Sequence, residues 1–111
     1  DPDVRIHINA PAVHEFDPKK PTGIALYCLP NGNTIEQTIG KKFKPGDDWH
    51  YDIQHIGAQT RWLRQHAPER SLAIAYLENN LKSWPAWRRA AAKIPRKKGT
   101  RMAIAVPSRR R

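Results

Sequence analysis

The sequence predicts an α/β domain on a mostly parallel sheet, from three observations. Residues 23–29, Gly-Ile-Ala-Leu-Tyr-Cys-Leu, form an unbroken apolar run bounded by Gly and Pro. The run is too short for a helix and suits a strand covered on both faces. Residues 71–77, Ser-Leu-Ala-Ile-Ala-Tyr-Leu, form a second run of this kind. Between the two, Ile53, Ile56, Gly57, Thr60 and Leu63 recur at spacings of three and four, the period of a helix with one apolar face. Two apolar strands joined through a helix make a right-handed crossover, with the strands parallel and the helix on one sheet face. The expected architecture is a partial three-layer α/β/α sheet.

The elements follow in order. Val4, Ile6 and Ile8 alternate with Arg5, His7 and Asn9, the pattern of a half-buried strand with one wet face, which Pro11 ends. Residues 12–22 form a polar connector with Pro18 and Pro21 around Lys19 and Lys20. After the first apolar run, Pro30-Asn31-Gly32-Asn33-Thr34 is a tight-turn cluster that favours positive φ at Asn or Gly. Residues 35–44 are mixed in pattern. Pro45-Gly46-Asp47-Asp48 reads as a turn supplying an acidic helix start, and Pro68 closes the helix that follows. Ser83-Trp84-Pro85 reads as an N-cap with Pro in the first turn of another helix.

A chain of 111 residues forms one small domain, burying somewhat more than about 60% of its unfolded surface. The net charge of +10 is unevenly placed: residues 1–87 hold ten Lys/Arg and ten Asp/Glu, whereas residues 88–111 hold ten Lys/Arg and no acid. Attraction to phosphates or anionic membranes is therefore a property of the last 24 residues. The division expected is a folded part over residues 1–90 and a basic tail over 91–111. Cys28, the single cysteine, excludes an intramolecular disulfide. No apolar run approaches the roughly 18 residues needed to span a bilayer. The start at Asp1-Pro2, without Met, fits a removed leader or trimming.

Several segments together resemble the amino-terminal half of an α/β-hydrolase-fold protein over roughly residues 1 to 90. They are Cys28-Leu29-Pro30-Asn31-Gly32-Asn33-Thr34, Gly46-Asp47-Asp48-Trp49, Ile53-Gln54-His55-Ile56, Tyr76-Leu77-Glu78-Asn79 and Ser83-Trp84-Pro85-Ala86-Trp87. The resemblance implies a serine esterase- or peptidase-like enzyme that cleaves ester or similar acyl bonds of a small molecule without a cofactor. It also implies that the loop after the third strand gives a backbone N–H to the oxyanion hole, with the nucleophile on a later Gly-x-Ser-x-Gly turn. By this resemblance Asn31, Gly32 and Asn33 occupy the oxyanion-loop position, although the common His-Gly-Gly form is absent. Preorganised N–H donors at a developing oxyanion are worth on the order of 3 to 4 kcal/mol each. The same Asn-Gly-Asn is also what a plain tight turn requires.

Ser71, Ser83 and Ser108 lack the Gly-x-Ser-x-Gly context, and no triad can be assembled. The chain is therefore expected to be a truncated amino-terminal piece, catalytically silent, marginally stable or associating. His50 and His55, five apart, fall on different helix faces, and all five histidines read as structural or solvated. Asp48, Asp52 and His55 share a helix face and read as a solvated first turn. Cys28, in an apolar strand, reads as a buried small hydrophobe, and Trp84 with Trp87 as a pair packing its helix onto the sheet. The tail carries Arg96, Lys97, Lys98, Arg101, Arg109, Arg110 and Arg111. It reads as an arm for nucleic acid or an acidic partner, or as the product of a frame change near Ala90, since shifted frames of GC-rich genes are rich in Arg, Ala and Pro. The second reading is favoured because the hydrolase-like register fades where the acids vanish. Residues 102–106, Met-Ala-Ile-Ala-Val, permit one more strand.

Overall fold

The computed structural model describes residues 3–95. The Arg/Lys tail from Arg96 to Arg111 and the apolar run at 102–106 lie outside the described residues. Three strands, β1 (Val4–Asn9), β2 (Thr22–Cys28) and β3 (Ser71–Asn79), combine with three helices, α1 (Ile35–Ile39), α2 (Ile56–His66) and α3 (Trp84–Ala92). The architecture is mixed α/β. Strand β3 lies in the middle, in the order β1-β3-β2. It pairs parallel with β2, from Thr22↔Ser71 to Cys28↔Leu77, and antiparallel with β1, from Val4↔Asn79 to Asn9↔Ile74.

The sheet is thus mixed, with one pairing of each kind. Residues 10–21 hold only one 3-10 turn, Val13–Glu15. The end of β1, opposite Ile74, and the start of β2, opposite Ser71, lie at the same end of β3, so this link only steps across the sheet and β2 runs opposite to β1. The β2-to-β3 connection holds two helices and is long enough for the parallel crossover.

Successive side chains on a strand alternate faces, so the register sorts the sheet into two surfaces. Tyr27, Leu72, Ile74 and Tyr76 point to one side, where Leu29, Ile35, Ile39 and Ile56 join them in a single core. Both α1 and α2 therefore cover the same face. Val4, Ile6, Ile8, Ile24, Leu26, Cys28, Ala73, Ala75 and Leu77 belong to the other. There Ile6, Ile8, Ile24 and Leu26 are 58%, 67%, 60% and 51% exposed.

This arrangement corrects two expectations. The run at residues 23–29 is covered on one face only, and Cys28 is exposed. Strand β1 is open on both faces rather than half buried: Arg5 and His7, on the helix side, are exposed like Ile6 and Ile8, with the His7 and Tyr76 ring centroids 5.9 Å apart.

Local sequence explains each helix start. Thr34 accepts from the Gln37 N–H while the Gln37 side chain accepts from the Thr34 N–H, a capping box that opens α1. Asp48 caps a separate 3-10 turn, Trp49–Asp52, rather than the main helix. Helix α2 begins only after His55, whose φ of 49° reverses the chain direction. Asp48, Asp52 and His55 consequently share no helix; Asp48 pairs with His50, and Asp52 with His55 at 2.8 Å. Ser83 Oγ accepts from the Ala86 N–H at 3.3 Å to open α3, with Pro85 in the first turn.

Candidate functional site

The carboxyl ends of two parallel strands, where β2 and β3 stop, are where ligands gather in open α/β sheets. Two loops meet there, residues 29–34 and 79–83. The first is a turn in which Asn33 N–H donates to Pro30 O at 3.3 Å, with Gly32 at φ 82°. The sequence demands glycine there because other residues rarely adopt that conformation. The second is built by Asn79, only 2% exposed, whose Oδ1 accepts from the N–H groups of Leu81 and Ser83 at 3.0 and 3.2 Å. The loops are joined by the Gly32 N–H, which donates to Lys82 O at 3.0 Å.

Around the loops lies a polar frame. Asn33, 5% exposed, donates from Nδ2 to Gln54 Oε1 at 3.0 Å, and Gln59 Nε2 donates to Gln54 O at 2.6 Å. Glu78 Oε2 accepts from the Ile35 N–H at 2.7 Å and from Arg5 Nη2 at 2.6 Å. Arg5 also forks onto both oxygens of Glu36 at 2.8 and 2.9 Å. One guanidinium therefore ties β1, α1 and β3 together. The fork from Arg5, followed by a backbone N–H, lowers the Glu36 carboxyl from 4.5 to about 2. Glu36 and then Glu78 raise the guanidinium still further above neutrality.

Asn31, Gly32 and Asn33 sit together at this edge, on the loop directly after β2. Their backbone donors are mostly engaged: those of Gly32 and Asn33 are bonded internally, and no partner to the Asn31 N–H occurs among the described residues. The Asn33 side chain faces inward as a strut. An oxyanion needs convergent, unengaged N–H groups, and this arrangement offers one. Among the described residues no nucleophile stands opposite. Ser83 is occupied as a helix cap, Ser71 lies at the other end of β3, and Cys28 belongs to the far face of the sheet.

The described histidines have local partners instead of serine or cysteine. His66 Nδ1 bonds Trp62 O at 2.9 Å and its ring stacks on the Trp62 indole at 4.2 Å; His50 stacks on Trp49 at 3.7 Å. Among the described residues no group of three or more His, Cys, Asp or Glu could hold a metal ion, and no helix is long and apolar enough to cross a membrane. Trp84 and Trp87 meet edge to face at 5.6 Å, with both indole N–H groups buried and unpartnered.

Arg5, Glu36, Gln54, Glu78 and Asn79 hold this edge; Gln54, Glu78 and Asn79 lie in the resembling segments without an assigned role, and Arg5 and Glu36 carry no sequence signal of it. The Thr34-x-x-Gln37 pattern was the one local signal of the frame. At the opposite, amino end of β3 is an open cleft of about 480 Å³, lined by residues that include Lys20, Arg61, Arg64 and Arg70. Arg64 there donates to Leu72 O at 2.8 Å and to Asn9 O at 3.2 Å, clamping β1 to β3. Comparison of the chain with known protein families, with curated proteins and with solved structures finds no match.

Proposed function

We propose that residues 1–90 are the amino-terminal part of an α/β-hydrolase-like fold whose relatives cleave ester or similar acyl bonds, and that the 111-residue chain is itself catalytically silent. One observation carries the reading. Of the segments that resemble that fold, the Asn31-Gly32-Asn33 turn after β2 and the loop after Tyr76-Leu77-Glu78-Asn79 meet at the carboxyl edge of the parallel pair, joined by the Gly32 N–H to Lys82 O, and Asn33 reaches Gln54 of a third segment. Silence follows from the same geometry, because two of the three N–H groups are engaged and no nucleophile among the described residues faces them. In this proposal the exposed sheet face is where a full-length relative would pack its third layer, and it is left open in this chain.

An ester-hydrolysis assay with an activated acyl substrate and a serine-directed phosphonate probe tests the silent state. The expected result is no turnover above buffer and no mass adduct. Turnover with label on Ser71, Ser83 or Cys28 refutes it. The family reading has its own test in the coding DNA beyond codon 90: an alternative frame should continue with a strand, a Gly-x-Ser-x-Gly turn and a helix, and two frames without that pattern defeat it.

The charge partition favours a second reading, a basic module for nucleic acid or an acidic partner in which Arg96, Lys97, Lys98, Arg101, Arg109, Arg110 and Arg111 contact phosphates. It requires oligonucleotide affinity that falls steeply with salt and disappears when those residues become neutral; salt-independent binding rules it out.

A further inference from the structure

We infer that the open sheet face is a self-association surface, on which a second copy of this chain packs sheet to sheet about a two-fold axis. Ile6 and Ile8 on β1 and Ile24 and Leu26 on β2 are each more than half exposed. The register places them on one surface with Val4, Cys28, Ala73, Ala75 and Leu77. All nine positions are uncharged and apolar, Ala75 being buried between its neighbours, and the same register adds only the uncharged polar residues Thr22, Ser71 and Asn79 at the strand ends. A contiguous apolar patch on this scale marks an interaction site.

The chemistry of the face selects the partner. A two-fold interface brings the same patch to both sides, so it must complement itself. A surface without charge does so at no cost in stranded ions, and two sheet faces meet with their side chains interdigitating about 10 Å apart. Each of the four large side chains offers somewhat more than about 100 Å², so with exposed Cys28 and half-buried Val4 and Leu77 two copies bury roughly 1,000 Å², the low end for a biological interface. The pair is therefore weak and reversible. Residues 1–87 balance their charges, while the ten Lys/Arg of residues 88–111 repel between copies, so added salt favours pairing.

Cys28 lies on this face and is the only cysteine, which makes it a native reporter. The experiment measures sedimentation equilibrium of the full chain together with the rate of Cys28 alkylation by iodoacetamide across protein concentration. The expected result is a monomer–dimer equilibrium strengthened by salt, with alkylation slowing about twofold at the dissociation constant and about tenfold at roughly fifty times it. Ile8→Lys and Leu26→Lys, both at exposed positions, should give monomers with unchanged circular dichroism and fast alkylation at every concentration. Three results overturn the inference. Fast alkylation of a monomer at all concentrations shows an unused face. Slow alkylation of a monomer shows cover from within the same chain. Association that survives both lysine variants shows contact through a strand edge.

Discussion

Gly32 and Gly40 share a φ of 82° but face different surroundings. A Cβ on Gly32 would meet nothing within 4 Å, whereas one on Gly40 would lie 2.8 Å from His55 Nδ1 and 3.0 Å from His55 Cα. Gly32→Ala should therefore cost about 1 to 2 kcal/mol from backbone conformation alone. Gly40 also has ψ 175°, a region nearly restricted to glycine. Gly40→Ala adds overlap with a backbone atom, so it should cost at least ~1 kcal/mol more. Urea unfolding of both variants decides the order, and equal losses would contradict this account. Tyr76 makes the opposite case: its ring is fully buried, its hydroxyl has no hydrogen-bond partner while the Thr60 hydroxyl donates to Ile56 O, and burial pushes the phenol pKa up. Removing an unsatisfied buried group is near neutral or stabilising, so Tyr76→Phe should hold or raise the urea midpoint. At this scale a turn at residues 30–34 was legible because Gly and Asn are suited to it. The hydrogen bond from Gly32 to Lys82 was not, since 50 positions separate them and no local pattern encodes the contact.

Among the elements, α1 depends most on its cap. It has five residues, far fewer than a helix needs to stand alone. Thr34→Ala should remove about 1 kcal/mol and loosen the start of the helix. Amide exchange at Gln37 and Thr38 would report it; unchanged protection would mean that Ile35 burial alone holds the turn. The Thr34-x-x-Gln37 pattern was readable, but a single helical turn carries too few apolar positions to show a period. The strands were more legible. Both apolar runs became strands, with β3 two residues longer than its apolar part because Glu78 and Asn79 continue the ladder. What alternation cannot give is its sign. Val4, Ile6 and Ile8 announce a period of two, yet only the position of α1 and α2 decides which face is covered.

For the whole molecule, the class was legible and the strand directions were not. Residues 10–21 are long enough to permit either direction and contain no apolar period to declare their path. The parallel pair and its edge followed from the two runs and the helix between them. The polar frame did not, because Arg5, Glu36 and Glu78 come from three distant segments. Acid should expose that frame. The Glu36 carboxyl sits at about 2 when folded against 4.5 ordinarily. The stability it contributes is therefore complete above about pH 4.5 and is lost as pH falls through 2. Both partners are more than half exposed, so solvent screening keeps this below about 1 kcal/mol. Urea midpoints between pH 2 and 6 should fall less for Glu36→Gln than for the parent; parallel curves would show that the fork is idle.

The same guanidinium has a consequence for strand alignment. The β1 sequence Val-Arg-Ile-His-Ile-Asn nearly repeats every two residues, so a slip of two against β3 would keep every side chain on its present face. Only one alignment sets Arg5 between Glu36 and Glu78 at once. Arg5 thus acts as an index pin for an otherwise sliding strand. Without it, as in Arg5→Ala, the Tyr76 and Leu77 amides should each show two slowly exchanging resonances, one for each seating of β1.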